Sequence, residues 1–425
     1  MTHEIRKVAI IGGVRIPFCR AGSHYANLGN VDLMTGALSA LVGRYNLQGH
    51  LAGDVALGAV IKHTRDWNLA REAVLGSGLA PETPAYDLQR ACGTSLDAAL
   101  QIGRRIALGE IDTGIAGGAD SISDAPLVHT DEFSRIAKRA NSAKTVGQRL
   151  LPWLDLRLQH LKPQAPGVVE PRTGLSMGEH CEIMAKEWQI PRREQDELAL
   201  ASHQRAAAAW TDGFYDELVC EFRGASRDEF IRADTSLEKL AALRPAFDRT
   251  NGTLSAGNST PLTDGAAAVL LASDAWADAN GHTPQAYLAH GEVAAVDFVT
   301  KKEGLLMAPA YAVPRMLARA GLTLQDFDYY EIHEAFAAQV LCTLRAWESA
   351  AFCRERLGLD APLGTIDRAK LNVKGGSVAL GHPFGATGAR VLANAAKLLE
   401  QRGSGRVLVS VCTGGGMGVT AIVER

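Results

Sequence analysis

The chain has 425 residues, 44 basic against 47 acidic, a net charge of −3 and 47% hydrophobic residues. That is enough for two or three domains with cores of their own, too apolar for a disordered chain, and too evenly charged for a nucleic-acid binder, which carries a basic excess. Seven scattered cysteines with no C-x-x-C pair argue against a disulfide scaffold and a structural zinc site and point to a reducing compartment; no metal is expected, and the expected location is cytoplasmic.

The chain opens with charges and a short apolar run that Arg15 cuts off, which reads as a first strand rather than a signal peptide. Strand signals at 8–11, 55–61 and 111–116 alternate with helical spacing at 33–41, 69–79 and from near Cys92 onward. This alternation argues for an α/β layer with a mostly parallel sheet. From 121 to 250 the alternation stops, and helices are expected at 178–188 and 193–212. Within this block, Lys138, Arg139, Lys144, Arg149, Arg157 and Lys162 accompany Leu150, Leu151, Leu154, Leu158 and Leu161, which fall on one helical face. Such a face either packs on its own domain or meets a membrane, a partner subunit or a phosphate-rich ligand. The α/β rhythm returns with strands at 266–271, 286–296, 327–332, 407–412 and 419–423, and helices at 313–320, 335–345 and 390–399. The two α/β blocks are similar in style, which suggests a duplication. The expected organisation is an N-terminal half of residues 1–120 plus 251–273, a mostly helical insertion at 121–250, and a C-terminal half at 274–425. No stretch approaches eighteen apolar residues, so no membrane-spanning helix is expected.

Four segments carry chemistry. Cys92 sits in ACGTS (91–95), where a loop enters a helix. A helix N-terminus favours thiolate. Lowering a thiol pKa from about 8.5 to about 7 takes about 2 kcal/mol, and the dipole supplies roughly 0.3–1. A nucleophilic Cys92 therefore wants a histidine nearby. His333 opens HEAF (333–336), which is not a zinc motif because position 337 is Ala337. His382 lies in a loop of five glycines, GGSVALGHPFGATG (375–388), whose small residues let a ligand or another backbone approach. Cys412 opens CTGGGMG (412–418), where backbone N–H groups in a bend are material for an oxyanion hole. Residues 174–178 fit the G-x-S-x-G pattern, but Glu170, Pro171, Arg172 and Thr173 precede it instead of the buried strand that a nucleophile elbow needs.

Together these segments resemble the thiolase family, in the family's order and over the whole chain. The resemblance implies a thiolase-like α/β fold, with two similar halves of mixed sheets and layered helices plus a mostly helical loop domain. It implies an acyltransferase in which Cys92 attacks a 3-ketoacyl-CoA to form an acyl-enzyme, His382 takes the thiol proton, and Cys412 exchanges a proton with the acetyl carbon. His382 and a water on His333 would form one oxyanion hole, and the N–H groups of Cys92 and Gly414 the other. Met177, Ala256, Gly257, Thr260, Ala335 and Phe336 match substrate- and coenzyme A-binding positions. Coenzyme A is then a substrate, with no tightly bound cofactor. His333, where most members carry asparagine, and Ser95 both resemble the β-subunits of fatty-acid-oxidation complexes. That branch implies β-oxidation, a homodimer or tetramer, and an α-subunit partner with hydratase and dehydrogenase activities. The alternatives are an acetoacetyl-CoA-forming acetyltransferase, a decarboxylating ketoacyl synthase, against which Cys412 argues, and a silent acyl-CoA-binding subunit.

Overall fold

The structure is a computed structural model and describes residues 5–164 and 167–425. The first four positions of the opening segment and two inside the expected insertion lie outside the described residues.

The N-terminal alternation becomes β1 (Ala9–Arg15), a short β2 (Cys19–Arg20), α1 (Asn30–Arg44), β3 (Asp54–Leu57), α2 (Leu69–Ser77), β4 (Ala85–Asp87), α3 (Thr94–Ala107) and β5 (Thr113–Asp120). Local chemistry sets the ends of these elements. The Asn68 side chain accepts from the Arg71 N–H to cap α2, and Gly78, at φ 93°, stops it. β3 is shorter than the expected 55–61, because the chain leaves the sheet at Gly58. The N–H groups of Val60 and Ile61 turn to the Asp120 carboxylate at 3.1 and 2.8 Å instead of a ladder.

The insertion carries α4 (Asp131–Ser142), α5 (Val146–Leu150), α6 (Met177–Glu187), α7 (Arg192–Thr211) and α8 (Leu237–Ala241). The expected single leucine-striped helix does not form. Pro152 lacks a backbone donor, and the segment breaks after α5 into two 3₁₀ turns, Leu151–Asp155 and Leu158–Leu161. Its five leucines are 45–88% exposed, so they do not pack on their own domain.

Beyond the insertion follow β6 (Thr263–Ala272), α9 (Asp274–Ala279), β7 (Ala286–Ala295), α10 (Ala308–Ala320), β8 (Tyr329–Ile332), α11 (Ala337–Glu348), α12 (Ala350–Leu357), α13 (Ser377–Leu380), α14 (Thr387–Arg402), β9 (Arg406–Thr413) and β10 (Met417–Glu424). The ten strands form one sheet in the order β4-β3-β5-β6-β1-β7-β10-β9-β8, with β2 on β6. It is mixed rather than mostly parallel, since only β3/β4, β3/β5 and β8/β9 pair in parallel. The tight return between β9 and β10 and the antiparallel arrival of β6 after the insertion account for the difference.

The order β3-β5-β6-β1, paired parallel, antiparallel, antiparallel, recurs as β8-β9-β10-β7. The halves meet through antiparallel β1 and β7. Each half sends one central helix, α3 or α14, into its parallel step, and the two helices pack on each other. Their contact is close at the N-terminal ends. A Cβ on Gly388 would overlap the backbone nitrogen of Leu96, and Ala389 N–H donates to Ser95 Oγ at 2.8 Å. The loops that precede both helices are thereby brought to one place.

Candidate active site

Cys92 stands in the turn between β4 and α3. Gly93 N–H and Thr94 N–H donate to the carbonyls of Arg90 and Ala91 at 3.0 and 3.1 Å, and Arg90 N–H donates to Thr94 Oγ1 at 2.9 Å. These bonds hold Ala91 in the left-handed region, at φ 42°, which costs a residue with a Cβ about 1 kcal/mol or more. A Cβ on Gly93 would press on Thr413 and Val419, so the turn lies against the ends of β9 and β10.

His333 ends β8, and His382 sits between α13 and α14, fixed by its own N–H donating to Thr263 Oγ1 at 2.6 Å. The structure brings both to Cys92. The sulfur and one ring nitrogen of each histidine lie within 4.8 Å of one another, and the ring centroids are 4.1 Å apart. Each Nδ1 is engaged, His333 with Ser377 Oγ at 2.8 Å and His382 with Thr387 Oγ1 at 2.5 Å. Each Nε2 is buried and, among the described residues, has no hydrogen-bond partner. Burial, with Arg390 adding a positive charge, pushes His382 down to about 3 and His333 well below the usual imidazole range, where His382 also contributes. Burial likewise pushes the Cys92 thiol up to about 12, opposed in part by the Gly414 N–H. Burial thus favours a neutral thiol beside two neutral imidazoles.

Cys412, at the end of β9, is buried, and its thiol is raised well above the usual range by burial and then by nearby Cys92. The next residue, Thr413, leads into the Gly414–Gly416 turn. Gly414 N–H is directed at the Cys92 sulfur. Gly415 N–H donates to Glu170 Oε1 at 2.5 Å, so a buried carboxylate pins this turn. Met177 approaches the same spot, because a Cβ on Gly414 would lie 3.5 Å from its sulfur.

Ala335 and Phe336 are buried beside the cluster and pack with Met177 and Cys412. Thr260 is tied to them, its N–H donating to Ala335 O at 3.1 Å and its hydroxyl to Ser377 O at 2.8 Å. Ala256 and Gly257 stand apart. Ala256 is exposed, and Gly257 faces Leu240 and Leu243 of the α8 segment. The G-x-S-x-G serine is a helix cap: Ser176 Oγ accepts from Glu179 N–H at 3.2 Å in a capping box, which leaves no nucleophile there.

Glu170, Ser377, Thr387, Arg390 and Asp120 were not singled out by sequence. Ser377 and Thr387 lie inside the glycine-rich motif, yet their role as imidazole partners depends on which face each turns inward. The Asp120 carboxylate, which burial pushes up to about 7, accepts from Gly385 N–H at 2.6 Å and ties the His382 loop to β5. Nothing in the sequence marks Glu170.

Among the described residues, two groups place metal-capable donor atoms within 4.8 Å: Cys92 with His333 and His382, and Cys19 with His24 and Glu229. A cleft of about 710 Å³ is lined by Arg6, Arg104, His290, Arg406 and Arg425 among others and shares no residue with the thiol–imidazole cluster.

Comparison with known proteins places the chain in one family. The family description "Thiolase, N-terminal domain" matches residues 8–275, and "Thiolase, C-terminal domain" matches 282–425. The chain is 42% identical over 430 aligned positions to a 3-ketoacyl-CoA thiolase of Yersinia pestis (strain Pestoides F), covering 100% of this chain and 98% of that protein. Among solved structures, it superposes on the Bacillus anthracis acetyl-CoA acetyltransferase with a TM-score of 0.83 at 32% identity, covering 100% of both chains. It superposes on human mitochondrial 3-ketoacyl-CoA thiolase in complex with CoA with a TM-score of 0.82 at 28% identity, covering 99% of this chain and 98% of that one.

Proposed function

The chain belongs to the thiolase family, and on that premise we propose that it cleaves 3-ketoacyl-CoA with coenzyme A to acetyl-CoA and a shortened acyl-CoA, as an acyltransferase of fatty-acid β-oxidation. One observation carries the reading: the Cys92 sulfur lies within 4.8 Å of a ring nitrogen of both His333 and His382, and the Gly414 N–H also approaches it.

In the proposed sequence, the Cys92 proton passes to His382 Nε2 as sulfur bonds to the 3-keto carbon. The keto oxygen becomes an oxyanion between the N–H groups of Cys92 and Gly414. Breaking the carbon–carbon bond restores the carbonyl as a Cys92 thioester and expels the acetyl-CoA enolate. Its oxygen meets the His382 imidazolium and a donor, or a water, held by His333. A donor of this kind is worth about 3–4 kcal/mol. Cys412, kept neutral by burial, gives its proton to the enolate carbon and regains one from His382. The thiol of coenzyme A then attacks the acyl-enzyme, its proton returning through His382 to Cys92. Covalent catalysis thus splits one hard step into two, with ping-pong kinetics.

In this reading coenzyme A is a substrate rather than a resident cofactor, and Met177, Thr260, Ala335 and Phe336 border the reacting end of its thioester. Ala256 and Gly257 belong to the more distant coenzyme A path. The protein works in the cytoplasm; among the described residues, no helix is long and apolar enough to cross a membrane. It assembles at least as a homodimer, and an α-subunit supplying 3-ketoacyl-CoA docks at the exposed leucines and basic residues between α4 and residue 162. Reversing charge at Arg149 and Arg157 should then weaken copurification with that subunit, and retained complex formation would refute the docking site.

The second reading is acetyl transfer in the synthetic direction, favoured by the likeness to the acetyl-CoA acetyltransferase. Thiolysis rates for 3-ketoacyl-CoAs of rising chain length decide between them. Activity confined to acetoacetyl-CoA would overturn the β-oxidation assignment, and no thiolysis at any length would overturn both.

A further inference from the structure

We propose that Ser377 and Arg390 are positioning residues that fix His333 with its proton on Nε2, so that the two facing imidazoles enter the reaction with opposite polarity. His382 presents a bare nitrogen, and His333 presents a donor. The inference rests on the thiolase reading and assigns the hydrogen bonds that distinguish the two rings.

Each neutral imidazole carries one N–H, and its Nδ1 partner decides where that proton sits. Thr387 Oγ1 meets His382 Nδ1, and it also lies 3.1 Å from the Pro383 carbonyl, an acceptor for its own hydroxyl proton. Both protons are used when Nδ1–H donates to Thr387 and Thr387 donates to Pro383. His382 Nε2 is then bare and able to take the Cys92 proton.

The surroundings of His333 are reversed. Ser377 Oγ accepts from Arg390 Nη2 at 2.7 Å. Among the described residues, its only other partner is His333 Nδ1, at 2.8 Å. Ser377 is fully buried. Were Nδ1 protonated, the serine oxygen would accept from both neighbours through its two lone pairs, but its own hydroxyl proton would be left without an acceptor in a packed interior. With the hydroxyl donating to Nδ1, the Ser377 oxygen, its proton and His333 Nδ1 are all paired, and Nε2–H is left free in the cluster that holds Cys92. The Arg390 charge acts in the same sense. It draws electron density from the serine oxygen, making the hydroxyl a better donor, and it repels an N–H aimed along the same line. Arg390 is itself buried, with the Glu331 and Glu334 carboxylates contributing the opposing charge. The enolate oxygen needs donors, and this arrangement supplies one before substrate arrives, without a proton having to move first.

The test compares two half reactions in the full-length protein. One is acetylation of Cys92 by acetyl-CoA, followed by rapid quench and mass spectrometry. The other is washout of deuterium from the methyl group of acetyl-CoA, which requires the enolate. Ser377→Ala should slow washout roughly 100-fold, the loss expected of one oxyanion donor, and change acetylation by less than about threefold. Ser377→Thr, which keeps the hydroxyl, should restore washout. Equal loss of both half reactions, or unaltered washout, would overturn the proposal. A second measurement reads the tautomer in the wild-type chain. In protein labelled with ¹⁵N-histidine, the His333 resonances, identified by their disappearance in His333→Asn, should show a protonated Nε2 and a bare Nδ1. A protonated Nδ1 on His333 would overturn the proposal outright. If the wild-type chain neither acetylates nor exchanges, the thiolase reading fails instead, and the nitrogen spectrum still decides the tautomer.

Discussion

Replacing Thr387 by valine tests whether His382 is the base for Cys92. The hydroxyl is fully buried, and it is the Nδ1 partner of His382, at 2.5 Å. Valine keeps the branched shape and removes the acceptor. The variant then has two options. It can leave Nδ1–H buried without a partner, which costs about 1–3 kcal/mol, or it can move the proton to Nε2, where the nitrogen no longer accepts from the thiol. Either way the proton-transfer step loses a comparable free energy, a factor of roughly 5–150 in rate. The measurement is single-turnover acylation of Cys92 by rapid quench, because steady-state rates mix this step with thiolysis and release. Thermal unfolding of the same samples reports any loss of packing. An acylation rate equal to wild type would refute the assignment of His382 Nε2 as proton acceptor, and with a lowered melting temperature it would leave Thr387 only a packing role.

Cys92→Ala should yield no acyl adduct in mass spectra after exposure to acyl-CoA, whereas Cys412→Ala should still acylate Cys92 and lose proton exchange at the acetyl carbon. Acylation should also hold its rate from pH 8 to pH 5. A histidine of ordinary pKa, about 6.5, would be mostly protonated at pH 5 and the rate would fall roughly 30-fold; His382, pushed down to about 3, stays neutral there and keeps its base form as pH falls. An acid limb near pH 6.5 in acylation would contradict this. Gly388→Ala places a methyl group against the backbone nitrogen of Leu96. It should destabilise the fold by about 1–3 kcal/mol in urea unfolding, with a loss of acylation rate as the Cys92 and His382 loops separate.

Much of the site is legible in sequence because its reacting atoms sit in short, chemically distinctive strings. Cys92, His333, His382 and Cys412 each stand next to a strand end or helix start that periodicity also locates. The supporting side chains are not legible in this way. Glu170 reaches Gly415 from the far side of the insertion, 245 positions away, and an isolated glutamate before a turn signals nothing. Ser377 and Thr387 are visible as letters, but their function depends on which way each hydroxyl faces. The helix dipole alone was expected to fall short of a thiolate, and burial widens that gap by pushing the Cys92 thiol up. The leucine-striped segment failed for a local reason, since spacing suggested one helix and Pro152 divides it.

The repeated strand order explains why the proposed nucleophile and base come from distant parts of the chain. Each half builds the same step, a parallel strand pair with a central helix between, and the loop entering that helix lies at the carboxyl end of the preceding strand, where open α/β sheets place ligands. In the first half that loop carries Cys92, and in the second it carries His382. Packing α3 against α14 sets the two loops face to face, so the distance between thiol and imidazole is fixed by a helix–helix contact. That contact is close only because position 388 has no side chain and because Ser95 accepts the Ala389 N–H. The same logic accounts for the remaining groups. His333 ends β8 and Cys412 ends the neighbouring β9, paired with it in parallel, so both emerge at the same edge as His382. The glycine excess at 375–418 therefore has two separate uses. Gly388 lets two backbones touch, so a side chain there should cost stability and acylation rate together, while Gly414 turns its N–H toward the sulfur at a place where a Cβ would make only ordinary contacts, so a substitution there should change rate more than stability.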